Sequence, residues 1–591
     1  MDVNQKLGML RNLMAEYRLD AYVVSNSDPH FSEYLPDRYK QIKWLTNFSG
    51  SNALVLVTND QALIWTDGRY FVQCQKEIAG SDFEMMKMAT PGYPNIFKTI
   101  EKLLPEGRRL GVDRNILSQN DYESYEKICK AKGIDIVDDY DLISELWADR
   151  PEIKKDPAFI HELKYTGLSA KEKINVLREK FAEEEVDGTI ISSLADIAWL
   201  YNLRGSDIAN NPVVTAYAYV DAKSAILFIE EEKLSMEVLD HLKENNIDYL
   251  KYNEVFAKAN NLRDMTLALD KKTTARSIFK VLDPSVKVKD TIDLTTKLKA
   301  VKNQVEIKNQ KHAYIKDGVA LTKFIYWLKH HENIEAEDEY TVGEKLEEFR
   351  KAQELYVEPS FSTISAYKEN AAMMHYKAEK DSAKKLAKEG FLLVDSGGQY
   401  YDGTTDTTRT IVLGKLTDEE KKDFTLTLKG HMDLMTTIFL AGTTGFALDA
   451  ICRRPLWQNK SDYKCGTGHG VGYFLGVHEG PQSISPRPGG AALEPGMVVT
   501  IEPGVYKEGK HGIRTENVAL VVEEGETLDG KFLKFECISF VPIDLEAIDT
   551  SLLNDLDKKI INDYHKEVYE KISKYLTREE SDWLKEVTKA I

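Results

Sequence analysis

Residues 10–25 read LRNLMAEYRLDAYVVS, and residues 177–192 read LREKFAEEEVDGTIIS. Leu10, Arg11, Ala15, Glu16, Asp20 and Ser25 recur in order as Leu177, Arg178, Ala182, Glu183, Asp187 and Ser192. A second block, WLTNFSGS at 44–51, recurs as WLYNLRGS at 199–206. Two separated blocks matching in one order are a poor fit to chance, so the chain holds two copies of one fold. Each copy runs helix, acidic turn, apolar strand and a Trp-Leu segment. That alternation predicts an α/β domain with its sheet between helical layers. Only the first copy carries PHFSEYLPDRYK (29–40) between strand and Trp. His30, Tyr34, Arg38 and Tyr39 in this insertion read either as a contact surface or as a longer solvated loop.

The repeats end well short of the C-terminus. A chain of 591 residues exceeds one core, and the size prior suggests roughly three or four domains. The Pro-containing, mixed-charge stretch LWADRPEIKKDPAF (146–159) marks one boundary, and LTTKLKAVKNQVEIKNQ (294–310) marks another, where a polar helix takes over. The expected division is 1–157, 158–304 and 305–591, the last ending in a helical extension. A formal charge of −18 argues against nucleic acid or an anionic membrane surface as the main partner. Five scattered cysteines without CxxC spacing suit a reducing cytoplasm and exclude a cysteine-based zinc site. The N-terminal twenty residues read as an amphipathic helix rather than a signal peptide, and no stretch is apolar enough to span a membrane.

Acids and histidines gather in the third domain. Phe391-Leu392-Leu393-Val394 leads as a buried strand into Asp395, and Gly397-Gly398 is expected to turn the chain. A second strand follows Asp406 through Thr407–Leu413, so the two aspartates sit on neighbouring arms and can converge. Convergent carboxylates repel unless a cation lies between them. His375 lies in NAAMMHYKA, His469 and His478 in CGTGHGVGYFLGVHEGP, Glu502 in VVTIEPGVY and Glu516 in GIRTENVALVV. Singly, each is the sort of residue that also fills turns and cores. Together, four carboxylates and one imidazole at strand edges suit two divalent metals sharing bridging carboxylates.

Asp395, Asp406, His469, Glu502 and Glu516 resemble, in type and order, the five metal ligands of the pita-bread metallopeptidases. That family includes methionine aminopeptidase, prolidase and Xaa-Pro aminopeptidase. DSGGQYYDGTTDTTRT (395–410), GTGHGVGYFLGVHEGP, EPGVYKEGKHGIRTENV and the N-terminal WTDGRYFVQ (65–73) are similar to the cytosolic three-domain Xaa-Pro aminopeptidases in particular. The resemblance covers essentially the whole chain. It implies two creatinase-like α/β domains followed by an α+β pita-bread catalytic domain. One departure stands out: Cys465 precedes His469 by four residues, where some relatives carry another histidine.

The resemblance also implies roles. Asp406 and Glu516 would bridge two metals, Asp395 would chelate one, and His469 and Glu502 would complete the other. A hydroxide shared by the cations would attack the carbonyl preceding proline, with Glu502 as proton acceptor and donor. His375 and His478 would hold the substrate carbonyl, and Arg514 would orient the Glu516 carboxylate. Tyr473, Phe474 and Leu475 are candidates for a proline-shaped wall or for plain core. Manganese is the expected metal, with cobalt, zinc and iron as alternatives. The expected partners are short peptides with proline second, and a second copy of the chain in a homodimer. The rival readings are a prolidase acting on Xaa-Pro dipeptides and a metal-free binding module of the same fold.

Overall fold

A computed structural model of the protein describes residues 1–591, which pack into two compact units. The first comprises residues 1–160, 168–209 and 213–295; the second comprises 161–167, 210–212 and 296–591. No helix is long and apolar enough to cross a membrane.

Both repeats lie in the first unit. Helix Val3–Glu16 starts where the Asp2 side chain accepts from Gln5 N and the Gln5 side chain accepts from Asp2 N. Leu7, Leu10 and Met14 then fall on one buried face. Ser169 and Glu172 cap helix Ala170–Glu183 in the same way. In the strand Ala21–Ser25, Ala21 and Val23 enter one apolar cluster while Tyr22 and Val24 enter another, so the sheet is covered on both faces. The first sheet runs Glu84–Lys87, Ala62–Thr66, Ala53–Thr58, Ala21–Ser25, Arg109–Gly111, Asp135–Val137. The second runs Asp248–Leu250, Ala225–Phe228, Tyr217–Asp221, Gly188–Ile191, Thr266–Leu269, Lys287–Asp290. Corresponding strands occupy the same positions with the same relative directions. The repeat read from two short sequence blocks is a full duplication of topology.

The copies meet through equivalent loops. Asn120 N donates to Lys271 O (2.9 Å) and Ser277 N to Arg114 O (3.1 Å); Gln119 N donates to Thr274 O (3.1 Å) and Arg276 N to Leu117 O (2.8 Å). Each bond in one direction is answered by its counterpart, and Ser118 pairs with Ala275 at the centre. This reciprocity is that of a two-fold interface, here closed within one chain. The insertion 29–40 reinforces it. His30 is 4% exposed, with Nδ1 2.8 Å from Ser192 O and Nε2 2.7 Å from the Tyr252 hydroxyl. Arg38 donates to Pro151 O (3.0 Å), and the Arg150 guanidinium lies over the Tyr39 ring. His30, Arg38 and Tyr39 thus make contacts within the chain, and His30 joins the repeats. The reason is local. Ser192, Tyr217 and Tyr252 of the second copy form a pocket that fits the His30 ring.

The second unit builds a six-stranded antiparallel sheet in the order Ile438–Leu440, Gly530–Cys537, Asn517–Thr527, Val498–Ile501, Gly468–Gly470, Glu479–Ile484. Beside it lie the three strands Ile364–Tyr367, Phe391–Ser396 and Thr407–Val412, and the hairpin Gly504–Lys507 with His511–Arg514. Helices Gln304–His330, Glu339–Lys351, Asp418–Met435 and Gly445–Gln458 pack around the strands. The polar helix expected to take over near residues 294–310 is Gln304–His330. Asn303 opens it by accepting from Val305 N and Glu306 N. The next helix stops at Lys351. Tyr356–Pro359 is a strand, paired with Gly398–Tyr400.

Candidate metal centre

Strand Phe391–Ser396 pairs antiparallel with Thr407–Val412, with Asp395 opposite Thr408. Asp395 therefore sits on one arm and Asp406 immediately before the other. The link between them is not the simple turn expected from Gly397-Gly398. Gly398 opens the strand Gly398–Tyr400, which belongs to a different small sheet with Gly403–Thr404. Gly397 is required for close packing: a Cβ there would meet Thr405 O at 1.8 Å and Ser360 Oγ at 2.3 Å. Three further strand edges bring the remaining candidates. His469 lies in Gly468–Gly470, and its N–H donates to Thr500 Oγ1 (3.0 Å). Glu502 follows Val498–Ile501, with its N–H on Thr467 O (2.7 Å). Glu516 precedes Asn517–Thr527, with its N–H on Thr408 O (3.3 Å).

These edges converge. Ligand atoms of Asp406, His469 and Glu516 all lie within 4.8 Å of one another. His469 Nε2 is 3.4 Å from Asp406 Oδ2 and 3.4 Å from Glu502 Oε1. Asp395 is buried beside them, close enough that its charge raises the pKa of Asp406, Glu502 and Glu516. For these three acids burial is the main cause and mutual repulsion adds to it; the Glu516 carboxyl is pushed far above the carboxylate range. Burial opposes the charge on His469, but the Asp406 hydrogen bond and the Glu502 carboxylate override it and lift the ring to about 9. Asp395 Oδ1 and Glu516 Oε1 are buried and have no hydrogen-bond partner. Buried carboxylates that repel each other and leave two oxygens unpaired are a donor set that divalent cations satisfy.

The surrounding shell differs from the expectation at Arg514. Its Nη2 donates to Asp395 Oδ2 (2.6 Å), Nε to Thr408 Oγ1 (3.2 Å) and Nη1 to the Tyr506 hydroxyl (2.7 Å). Thr408, not Arg514, holds Glu516, through Oγ1 to Oε2 (2.8 Å). Arg514 ends the hairpin strand His511–Arg514, whose side chain reaches across to the Asp395 arm. Thr408 and Thr500, which also donates to Glu502 Oε1 (3.3 Å), were not singled out from the sequence. The available signal was alternation. Asp406, Thr408 and Thr410 share one face of a strand, as do Thr500 and Glu502 across one intervening residue.

His478 is exposed, and its ring lies edge-on to His469 with centroids 4.2 Å apart. His375 is exposed in the turn after Lys368–Ala372. That segment rests on the Arg514 hairpin so closely that a Cβ on Gly512 would meet Ala371 O at 1.8 Å. Cys465 is half-buried beside Tyr506, and burial pushes its thiol up to about 11. Tyr473, Phe474 and Leu475 are interior residues: the Tyr473 hydroxyl donates to Tyr165 O (2.9 Å), and Phe474 packs on His161 and Tyr401. Of the two readings weighed for them, core packing holds.

Comparison with known proteins follows the same outline. Metallopeptidase family M24 matches residues 308–523, and its C-terminal region matches 531–591. Creatinase/Prolidase N-terminal domains match 6–146 and 149–306. A probable Xaa-Pro aminopeptidase P of Pyrenophora teres f. teres is 38% identical over 99% of this chain and 92% of its own length. Aminopeptidase P2 of Arabidopsis thaliana is 36% identical over 97% of this chain and 86% of its own length. Among solved structures, X-prolyl aminopeptidase from Caenorhabditis elegans, described as a cytosolic enzyme with a di-nuclear active site, aligns with a TM-score of 0.95 at 34% identity. It covers all of both chains. The prolidase from Pyrococcus horikoshii aligns at 23% identity and a TM-score of 0.51 over 63% of this chain and 99% of its own, a likeness of fold.

Proposed function

Because the chain belongs to the Xaa-Pro aminopeptidases of metallopeptidase family M24, we propose that it removes the residue preceding proline at the N-terminus of short peptides. The observation that carries this reading is the convergence of Asp406, His469 and Glu516, with Glu502 and Asp395 alongside and two carboxylate oxygens unpaired. We assign Asp395, Asp406, His469, Glu502 and Glu516 as ligands of two divalent cations, with Asp406 and Glu516 shared. When bound, such ions polarise a carbonyl and bring water into the range where it ionises near neutral pH. Our choice of manganese rests on family likeness, since carboxylate-rich sites also take cobalt, zinc and iron.

The remaining steps belong to the chain. Glu502, at the edge of the cluster and partly open to the cleft, accepts a proton from the attacking water and returns it to the leaving prolyl nitrogen. His478, packed on His469, and His375, placed by the Arg514 hairpin, stabilise charge on the substrate carbonyl oxygen. Arg514 orients Asp395 through the Nη2–Oδ2 hydrogen bond. A proline amide offers no N–H, so a site that makes no use of that donor accepts it. We further propose division at 157 and 304, a cytoplasmic setting and a homodimer.

Metal analysis joined to peptide assay tests this. Reconstituted protein should hold two divalent ions per chain and cleave Arg-Pro-Pro faster than an Xaa-Pro dipeptide; the reverse preference would make it a prolidase. Asp406→Ala and Glu516→Ala should each lose bound metal and most activity together. Full activity in either variant would end the shared-ligand assignment.

A further inference from the structure

One buried ion cluster lies outside the ligand set yet adjoins it. Glu479 follows His478 directly and is 6% exposed. Lys299 Nζ lies 2.6 Å from Glu479 Oε2, and Lys302 Nζ holds Oε1 and donates to Lys299 O (3.0 Å). Both lysines are buried, at 4% and 3% exposure. One lysine would neutralise Glu479. A second engages the other carboxylate oxygen. What two lysines add is a grip on both carboxylate oxygens, and with it a fixed orientation of the Glu479 backbone.

That backbone sets the spacing of the two site histidines. Glu479 pairs with Gly470 across the strands, and the register shifts between His469 and Gly470. The approach is tight: a Cβ on Gly470 would meet Glu479 O at 2.2 Å. His478 immediately precedes the strand Glu479–Ile484, so holding the Glu479 backbone fixes the adjoining peptide from which the His478 ring reaches His469. The lysine segment is also tied to the strand leading to Glu502, since Lys302 N donates to Gly496 O (3.0 Å) and Val301 pairs with Met497.

We propose that Lys299 and Lys302, acting through Glu479, are positioning residues that hold the His478 ring against His469 for its work on the substrate carbonyl. The proposal rests on the assignment of His478 given above. It is tested with Lys299→Met and Lys302→Met, each of which keeps one lysine on the Glu479 carboxylate, with folding checked by thermal melting. Both should keep two metal ions and a KM within twofold of wild type, while kcat falls about tenfold. Combined with His478→Ala, either should lower kcat no further than His478→Ala does alone. A single variant with wild-type kcat, a raised KM at unchanged kcat, loss of metal, or losses that multiply in full with His478→Ala would each overturn the positioning role. If His478→Ala itself kept wild-type kcat, the failure would lie in the histidine assignment, and the proposal would fall with it.

Discussion

His431 sits inside helix Asp418–Met435 with neither ring nitrogen hydrogen-bonded, and burial followed by the Arg409 charge presses its pKa down to about 3. His565 is likewise buried and held down to about 4, its Nε2 accepting from Ile543 N. Both folded-state values lie below the unfolded histidine value near 6.5, so the unfolded chain binds more protons between those limits. The stabilisation is whole above about pH 6.5 and is lost as pH falls toward the folded values. His431→Leu removes one such group, and its melting temperature should fall less than the wild type's between pH 7.5 and pH 5. The difference amounts to about 2 kcal/mol at pH 5. Parallel melting curves for the two proteins would show that His431 is not a source of acid sensitivity. His375→Ala and His478→Ala should keep metal content near wild type while kcat/KM falls roughly tenfold to a thousandfold. Metal loss in either would make that histidine a ligand.

The Asp395–Asp406 pair is held by its connection as much as by its strands. Gly397 touches Thr405 O and Ser360 Oγ, so Gly397→Ala must push the two aspartate arms apart. A cost of at least about 3 kcal/mol and weakened metal binding are expected, read by thermal melting and metal analysis. Gly509, at the tip of the neighbouring hairpin, has φ of +70° and open space around it. Gly509→Ala should cost only about 1 kcal/mol and leave metal binding intact. Equal effects in the two variants would mean that backbone strain, rather than close packing, governs position 397. The same element-level view explains why the expected Arg514–Glu516 contact gave way to Arg514–Asp395. Strand pairing fixes neighbours across the sheet, and residues two apart in sequence need not touch one carboxylate.

The duplicated domains form one unit whose reciprocal loop bonds and His30 seal bury a face that each copy would otherwise expose. Removing residues 1–150 should therefore destabilise the second copy, seen as early proteolysis of 158–295, while metal binding by 305–591 survives. Sedimentation of the full chain should give about twice 67.2 kDa, the mass expected of the proposed homodimer. A monomer with full activity would leave the metal centre untouched and remove the dimer.

The repeat, the long helix after Asn303 and the set of acids and histidines could all be read from the linear chain. Local periodicity and long, specific motifs record which residue types must exist and in what order. The chain could also show that Asp395 and Asp406 lie on adjacent arms, because strand length and spacing are local properties. Only the tertiary structure decided which oxygen meets which partner. Thr408 on Glu516, Arg514 on Asp395 and Lys299 with Lys302 on Glu479 join residues 108, 119, 180 and 177 positions apart. Such pairings depend on sheet register and on where buried charge can be neutralised. The insertion 29–40 shows the same limit: its aromatic and arginine content left a contact surface and a solvated loop both open, and only the fold of the second repeat showed that His30 packs against it inside the same chain.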